Sequence, residues 1–100
     1  FMGQREVVKK VALGHIEKVD TQIKALEEAL EAGNMEEVRS DAHSIKGGSL
    51  NLEIKRLGLT SADMEKAGAD ENADEARRLL PILRAEYEAF RKVCEEEFGE

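Results

Sequence analysis

Residues 42–49 of this chain read Ala-His-Ser-Ile-Lys-Gly-Gly-Ser and lie within a strongly helical stretch of sequence. An α-helix turns about 100° per residue, so Lys46 and Gly47 flank His43 on one face, one turn further on. A neutral imidazole can attack phosphorus through a free nitrogen lone pair, and a neighbouring ammonium group can offset the charge of phosphoryl oxygens. This grouping indicates a helix that can hand a phosphoryl group to another protein.

The two glycines of this run have different predicted roles. Gly47 costs about 1 kcal/mol relative to alanine in the middle of a helix, so something other than helix stability should require it. Because Gly47 shares the face of His43, we interpret its missing side chain as steric access for an incoming active site. Gly48 and Ser49 point inward instead, and we assign them to packing against a neighbouring helix.

Three further residues extend the face that carries His43. Arg39 and Ser40 lie one turn before the histidine, and Leu50 lies two turns after it. An exposed apolar side chain beside a reactive group is typical of a docking surface, so we predict that these three residues contact a partner. Arg39 could add a second cation, although a solvated side chain is the commoner outcome.

Composition limits the class of protein and its partners. The 100 residues are 41% hydrophobic, 37% charged and 4% aromatic with one proline, which favours a single helical domain over residues 2–100 and argues against a β-sandwich. A net charge of −7 argues against nucleic acid or an anionic membrane as a partner. Cys94 is the only cysteine, which fits a reducing cytoplasm, and no apolar run approaches the roughly 20 residues that cross a bilayer.

Apolar residues that recur every three or four positions predict an all-helical fold. The expected elements are a short N-terminal helix over 7–12 that weakens at Gly14, a helix over 16–32, a helix after Asn34, a helix over 54–67 that Gly68 ends, and a last helix from Asn72 to about Phe98. Asn34 with Glu37, and Asn72 with Glu75, form predicted capping boxes at two helix starts. Short connections predict an antiparallel up-down four-helix bundle with a short additional N-terminal helix.

The apolar stripe of the second long helix predicts the direction of His43. Its members are Val38, Ala42, Ile45, Ser49 and Leu52. His43 lies away from the middle of this stripe, so we expect its imidazole to face solvent. His15 has no comparable context and is predicted to be an ordinary surface histidine.

The motif His43-Ser44-Ile45-Lys46-Gly47-Gly48, preceded by Ala42, resembles the signature of histidine phosphotransfer (HPt) domains, including the phosphorylated first domain of chemotaxis histidine kinases. The resemblance covers roughly residues 16–98. It includes the helix segment 26–30, a turn at Asn51-Leu52, and Met64-Glu65 in place of the family's usual Leu-Glu pair, 22 residues after the histidine. Two positions depart from the family: Glu53 stands where many members have Gly, and Thr60 where many have Leu.

The resemblance implies a role for each site residue. Nε2 of His43 would be the attacking atom, and Glu65 would hydrogen-bond the imidazole from the adjacent helix and orient it. Lys46 would stabilise the phosphoryl charge. The partner would be a response-regulator receiver that carries Mg²⁺ and most of the catalytic groups, so this chain would be a phosphotransfer intermediate rather than an autonomous enzyme, with no cofactor of its own.

Three functional hypotheses remain open from the sequence. The first is a phosphorelay module that takes the phosphoryl group from a hybrid histidine kinase and passes it from His43 to a receiver aspartate. The second is the phosphoacceptor domain of a chemotaxis-type kinase, phosphorylated by an ATP-binding catalytic domain. The third is a helical adaptor that is never phosphorylated. The chain shows no nucleotide-binding fingerprint, and it lacks the Cys pairs or Glu-x-x-His motif of a metal site.

Overall fold

The computed structural model of this chain describes residues 2–51 and 54–98, with side chains over 6–50 and 54–97. Four α-helices and no strands make up these residues: α1 (Met2–Glu31), α2 (Met35–Asn51), α3 (Lys55–Ala69) and α4 (Ala73–Phe98). The all-helical prediction is confirmed. Across the described ranges, none of the helices combines the length and the apolar character needed to cross a membrane.

The helices pack around one apolar core. Each helix contacts its neighbour in the chain, and α4 also packs against α1. The stripe predicted for α2 is inside: Val38, Ala42, Ile45 and Ser49 are fully buried, while Leu52 lies outside the described residues. The largest fully buried apolar side chains of the other helices are Val19, Ile23 and Leu26 of α1, Leu57 and Met64 of α3, and Leu83 of α4.

The separate N-terminal helix that the sequence predicts is instead the first part of α1. This helix runs without a break from Met2 to Glu31, through Gly14. A single glycine costs about 1 kcal/mol in a helix, and tertiary packing outweighs that cost here because Ala12 and His15 are buried on either side of it. Gly14 is therefore tolerated and does not end a helix.

The end of α1 matches its prediction, and the end of α3 does not. Gly33 has φ +73°, and the amides of Gly33 and Asn34 donate to the carbonyls of Leu30 and Ala29, which is a Schellman motif. The same pattern of bonds closes α3, but the left-handed residue there is Glu71, with φ +55°.

The prediction that Gly68 ends α3 is therefore wrong. It lies inside the last turn of the helix, which continues to Ala69 with Asp70 as its C-cap. Gly68 is also buried, so its place in the fold has to be explained by packing rather than by helix termination.

Each predicted capping box has one of its two hydrogen bonds, the one that the asparagine side chain accepts. Asn34 Oδ1 accepts a hydrogen bond from the Glu37 amide at 3.2 Å, and Asn72 Oδ1 accepts one from the Glu75 amide at 3.1 Å. The amide of Asn34 donates to Ala29 O rather than to the Glu37 side chain, because the Schellman motif already uses it. The α1–α2 and α3–α4 connections are thereby held by hydrogen bonds on both sides of the turn. The turn predicted at Asn51-Leu52 and the departure at Glu53 involve Leu52 and Glu53, which lie outside the described residues, while Asn51 is the last residue of α2.

Candidate functional site

His43 lies on the outer face of α2. Its two neighbours on the inner face, Ala42 and Ile45, are fully buried, whereas 64% of the His43 side chain is exposed. The stripe of α2 therefore fixes the direction of the imidazole, as the sequence predicted. A visiting molecule can reach this ring from solvent.

Glu65 of α3 contacts the imidazole of His43. Its Oε2 lies 2.9 Å from Nδ1, and the Glu65 side chain is only 22% exposed. An ionised carboxylate can only accept, so this hydrogen bond places the ring proton on Nδ1. In the neutral imidazole, Nε2 then carries the free lone pair, and the ring that bears it is exposed to solvent.

Lys46 holds the other oxygen of the same carboxylate. Its Nζ lies 2.7 Å from Glu65 Oε1. The hydrogen bond from Lys46 is the main cause that lowers the pKa of Glu65, and the hydrogen bond with His43 lowers it further. Glu65 is therefore ionised at neutral pH and available as the acceptor for Nδ1.

The surface beside His43 is open at Gly47. A Cβ placed on Gly47 would meet no atom within 4 Å outside its own stretch of helix. Close packing therefore does not explain this glycine, and its role in steric access stays a prediction. At Gly48 the opposite holds, since a Cβ there would lie 2.7 Å from Cε1 of the His15 ring.

His15 is buried, and its prediction as a surface residue is wrong. Only 8% of it is exposed, because the imidazole fills the hollow left by Gly48. Its Nε2 lies 3.5 Å from Ser49 Oγ, and the ring packs edge-on against Phe90 with centroids 6.0 Å apart. Burial lowers the pKa of His15, and the charge of Lys18 lowers it further.

The signal that could have placed His15 correctly is the apolar spacing of α1. Position 15 lies three residues after Ala12 and four before Val19, both of which are buried. It belongs to this stripe once Gly14 is not treated as a break.

The three predicted docking residues lie on the surface of α2. Arg39 makes a two-pronged ion pair with Glu36 of its own helix. Ser40 is exposed, and Leu50 is 49% exposed at the boundary with α3, where its side chain lies over Gly58. They share the outer surface of α2 with His43, and their role in docking stays a prediction.

Within residues 6–50 and 54–97, no group of three or more His, Cys, Asp or Glu side chains is placed to hold a metal ion. The reactive groups that the fold brings together are therefore one imidazole, one carboxylate and one ammonium group. This set can present a nucleophilic nitrogen with its tautomer fixed.

Comparison with known proteins gives the class. The family model of the Hpt domain matches residues 15–93, so the chain belongs to the Hpt family. A histidine phosphotransfer module of a two-component phosphorelay is thus the class that the fold and the site define.

One solved structure shares the fold over nearly the whole chain. It is the crystal structure of histidine-containing phosphotransfer protein B (HptB) from Pseudomonas aeruginosa PAO1, with a TM-score of 0.89 and 22% sequence identity. The alignment covers 93% of this chain and 81% of that one. A comparison with curated proteins gives no match.

Proposed function

We propose that His43 is the phosphoacceptor of this Hpt domain and that it passes the phosphoryl group to an aspartate of a response-regulator receiver. The observation that carries this proposal is the contact between Glu65 Oε2 and Nδ1 at 2.9 Å, on a ring that is otherwise exposed. Among the histidines of this chain, His15 is buried and does not meet the requirement of access.

The transfer needs one nucleophilic nitrogen and one fixed proton. Nε2 of His43 attacks the phosphorus of an aspartyl phosphate, the N–P bond forms, and the P–O bond to the aspartate breaks with its electron pair leaving on the carboxylate. The proton stays on Nδ1, where Glu65 offsets the positive charge that the ring acquires. Transfer to the next receiver runs through the same steps in reverse.

Lys46 can serve both the carboxylate and the phosphoryl group. An ammonium group has three donors, and the contact with Glu65 Oε1 uses one of them. Lys46 lies one turn from His43, within reach of phosphoryl oxygens on Nε2, so the remaining donors are available to them. We propose that it stabilises the phosphorylated state without releasing Glu65.

The remaining catalytic groups are proposed to belong to the partner. Gly47 provides the open surface for close approach, and Arg39, Ser40 and Leu50 are proposed to contact the receiver around it. Mg²⁺ would be held by the receiver, and the chain would act as a phosphotransfer intermediate with no cofactor of its own. Kinases and receivers of two-component systems are the partners that Hpt membership implies.

We also propose that residues 2–100 form one domain with its helices in up-down antiparallel order. Support comes from residue pairs whose order reverses between helices. Between α2 and α3, and between α4 and α1, the contacting pairs are Arg39 with Gly68, His43 with Glu65, Leu50 with Gly58, Arg84 with Glu27, and Tyr87 with Ile16.

Radiolabel transfer tests the proposed acceptor. The protein is incubated with a ³²P-labelled phosphorylated receiver and Mg²⁺, and separately with an isolated chemotaxis-kinase catalytic domain and labelled ATP. We expect acid-labile label from the receiver, and none on His43→Gln, which should fold normally because the ring is exposed. Label only from the kinase arm would favour the chemotaxis-type domain. Label on neither would favour the adaptor, and label that survives in His43→Gln would place the acceptor elsewhere.

A further inference from the structure

At Gly68 the backbone of α3 lies close to the backbone of α2. A Cβ on Gly68 would lie 2.7 Å from the backbone nitrogen of Arg39 and 2.9 Å from its Cα. Both atoms belong to the main chain of α2 and cannot rotate away. Gly68 lies inside α3 and has no positive φ, so a left-handed conformation is not the reason for glycine at this position.

This close approach lies one turn from the contact between the carboxylate and the imidazole. Arg39 precedes His43 by four residues along α2, and Glu65 precedes Gly68 by three along α3. We propose that Gly68 is a positioning residue, whose missing side chain sets the spacing between α2 and α3 at which Glu65 reaches Nδ1 of His43. This inference rests on the proposed role of His43 as phosphoacceptor.

The distances show that the spacing matters. Non-bonded carbon atoms prefer about 3.5 Å or more, so a methyl group at Gly68, which would lie 2.9 Å from the Cα of Arg39, would push the two backbones apart by about 0.6 Å. If Glu65 moves with α3, its 2.9 Å contact with Nδ1 lengthens to about 3.5 Å, which lies beyond the range of about 2.7–3.2 Å that N–H···O hydrogen bonds prefer. The flexible stem of Lys46 can follow α3 and keep its contact with Glu65. The Glu65 carboxylate would then stay ionised but would lose its hydrogen bond with the His43 ring.

Gly58 provides a matched control on the same helix. A Cβ there would also meet α2, at 2.6 Å from Cδ2 and 3.0 Å from Cγ of Leu50, but the nearest backbone atom lies at 3.8 Å. Leu50 is half-exposed, so its side chain can turn aside. The variants Gly58→Ala and Gly68→Ala therefore each add a methyl group that faces α2. Only the methyl group of Gly68→Ala would clash with backbone atoms.

The first experiment reads the tautomer of His43 in the full chain. Ring ¹⁵N shifts are recorded at a pH where the imidazole is neutral, and the signals are assigned by their loss in His43→Gln. We expect the tautomer protonated on Nδ1 in the wild type and in Gly58→Ala. We expect Gly68→Ala to shift toward the tautomer protonated on Nε2. A residue that serves only to hold the fold together would not change this ratio.

The second experiment measures the reactivity of His43 with phosphoramidate, which requires no docking partner. In this reaction Nε2 attacks phosphorus, the P–N bond of the donor breaks, and ammonia leaves. We expect Gly68→Ala to be labelled about tenfold more slowly than the wild type, since a misplacement of about 1 Å can cost one to two orders of magnitude. Gly58→Ala should react at the wild-type rate.

Circular dichroism separates positioning from folding. If Gly68→Ala is unfolded in buffer, the two measurements are repeated in trimethylamine N-oxide, which favours the compact state. A folded variant with the wild-type tautomer and rate overturns the proposal. So does a variant that stays unfolded in the osmolyte, because Gly68 would then serve the fold rather than the site. A wild type that takes up no label, or takes it up away from His43, contradicts the phosphoacceptor assignment instead.

Discussion

Glu65 reaches His43 across the interface between α2 and α3, with Oε2 2.9 Å from Nδ1, although the two residues lie 22 positions apart in sequence. The second oxygen of the same carboxylate is held by Lys46 Nζ at 2.7 Å. Glu65 thus links the nucleophile of the motif, His43, to its cation, Lys46. Its removal should affect the chemistry of the imidazole more than the stability of the fold.

The variant Glu65→Ala tests that expectation. Without the carboxylate, Nδ1 has no fixed acceptor and the neutral ring populates both tautomers, so we expect phosphoryl uptake to slow by about tenfold to a hundredfold. The ion pair with Lys46 is partly exposed, so the free energy of unfolding should fall by no more than about 1 kcal/mol. Single-turnover labelling and urea denaturation measure the two effects. Uptake at the wild-type rate would show that Glu65 does not orient the ring.

The variant Gly47→Gln tests steric access. Glutamine is a better helix former than glycine, and a Cβ at this position meets nothing, so the free energy of unfolding should stay the same or rise by up to about 1 kcal/mol. Transfer from a phosphorylated receiver should slow, while labelling by phosphoramidate should change much less. If transfer from the receiver is unchanged, the open surface at Gly47 does not serve docking.

The adjacent glycine supplies the contrast to this variant. Gly48→Ala places a methyl group 2.7 Å from the buried ring of His15 and should cost about 1–3 kcal/mol of unfolding free energy. Gly47→Ala should cost nothing. Equal stabilities for the two alanine variants would mean that His15 does not fill the hollow at Gly48.

His15 should make the stability of the fold depend on pH. Burial lowers its pKa in the folded state, so below about pH 6.5 the unfolded state binds more protons than the folded state. The stability that neutral His15 provides is present above that pH and is lost as pH falls toward the folded value, at up to about 1.4 kcal/mol per pH unit. Urea unfolding between pH 7.5 and 5.5 measures this slope.

The variant His15→Phe should flatten the slope, and His43→Gln serves as its control. His43 is exposed, so its replacement should leave the fall in stability below pH 6.5 in place. A slope that persists in His15→Phe would assign the proton uptake to another group.

The part of the site that lies on one helix could be predicted from the sequence. The outward direction of His43 and the positions of Lys46 and Gly47 follow from helix periodicity, because all three lie within one turn of α2. Glu65 could not be found in this way, since it lies on another helix and is one of 22 acidic residues. The family resemblance supplied that residue, and the fold places it against the imidazole.

Two errors of the sequence interpretation, at Gly14 and at Gly68, have the same cause. The sequence predicts that a helix weakens at Gly14 and that another ends at Gly68, but each glycine lies inside a helix. Glycine is a strong local signal for a helix end, yet a contact with a distant part of the chain can also require it. Nothing in the sequence near Gly68 shows that Arg39 lies against it. The left-handed position that does end α3 belongs to Glu71, a residue type that gives no such signal.

Glu71→Gly should therefore stabilise the protein. A residue with a Cβ at φ +55° costs about 1–2 kcal/mol relative to a normal conformation, and glycine removes this cost at the expense of more freedom in the unfolded chain. We expect a net gain of about 1 kcal/mol, which raises Tm by about 4–8 °C in a domain of this size.

Two variants of the same turn separate backbone strain from charge. Glu71→Ala removes a negative charge from the C-terminus of α3 but keeps the Cβ, so it should stabilise less than Glu71→Gly. Asp70→Gly alters the preceding residue, which has φ −84°. Because this residue has no left-handed strain to relieve, glycine there should not stabilise the protein by changing the backbone. Thermal unfolding of the three variants decides the matter, because equal gains from Glu71→Ala and Glu71→Gly would assign the effect to charge alone.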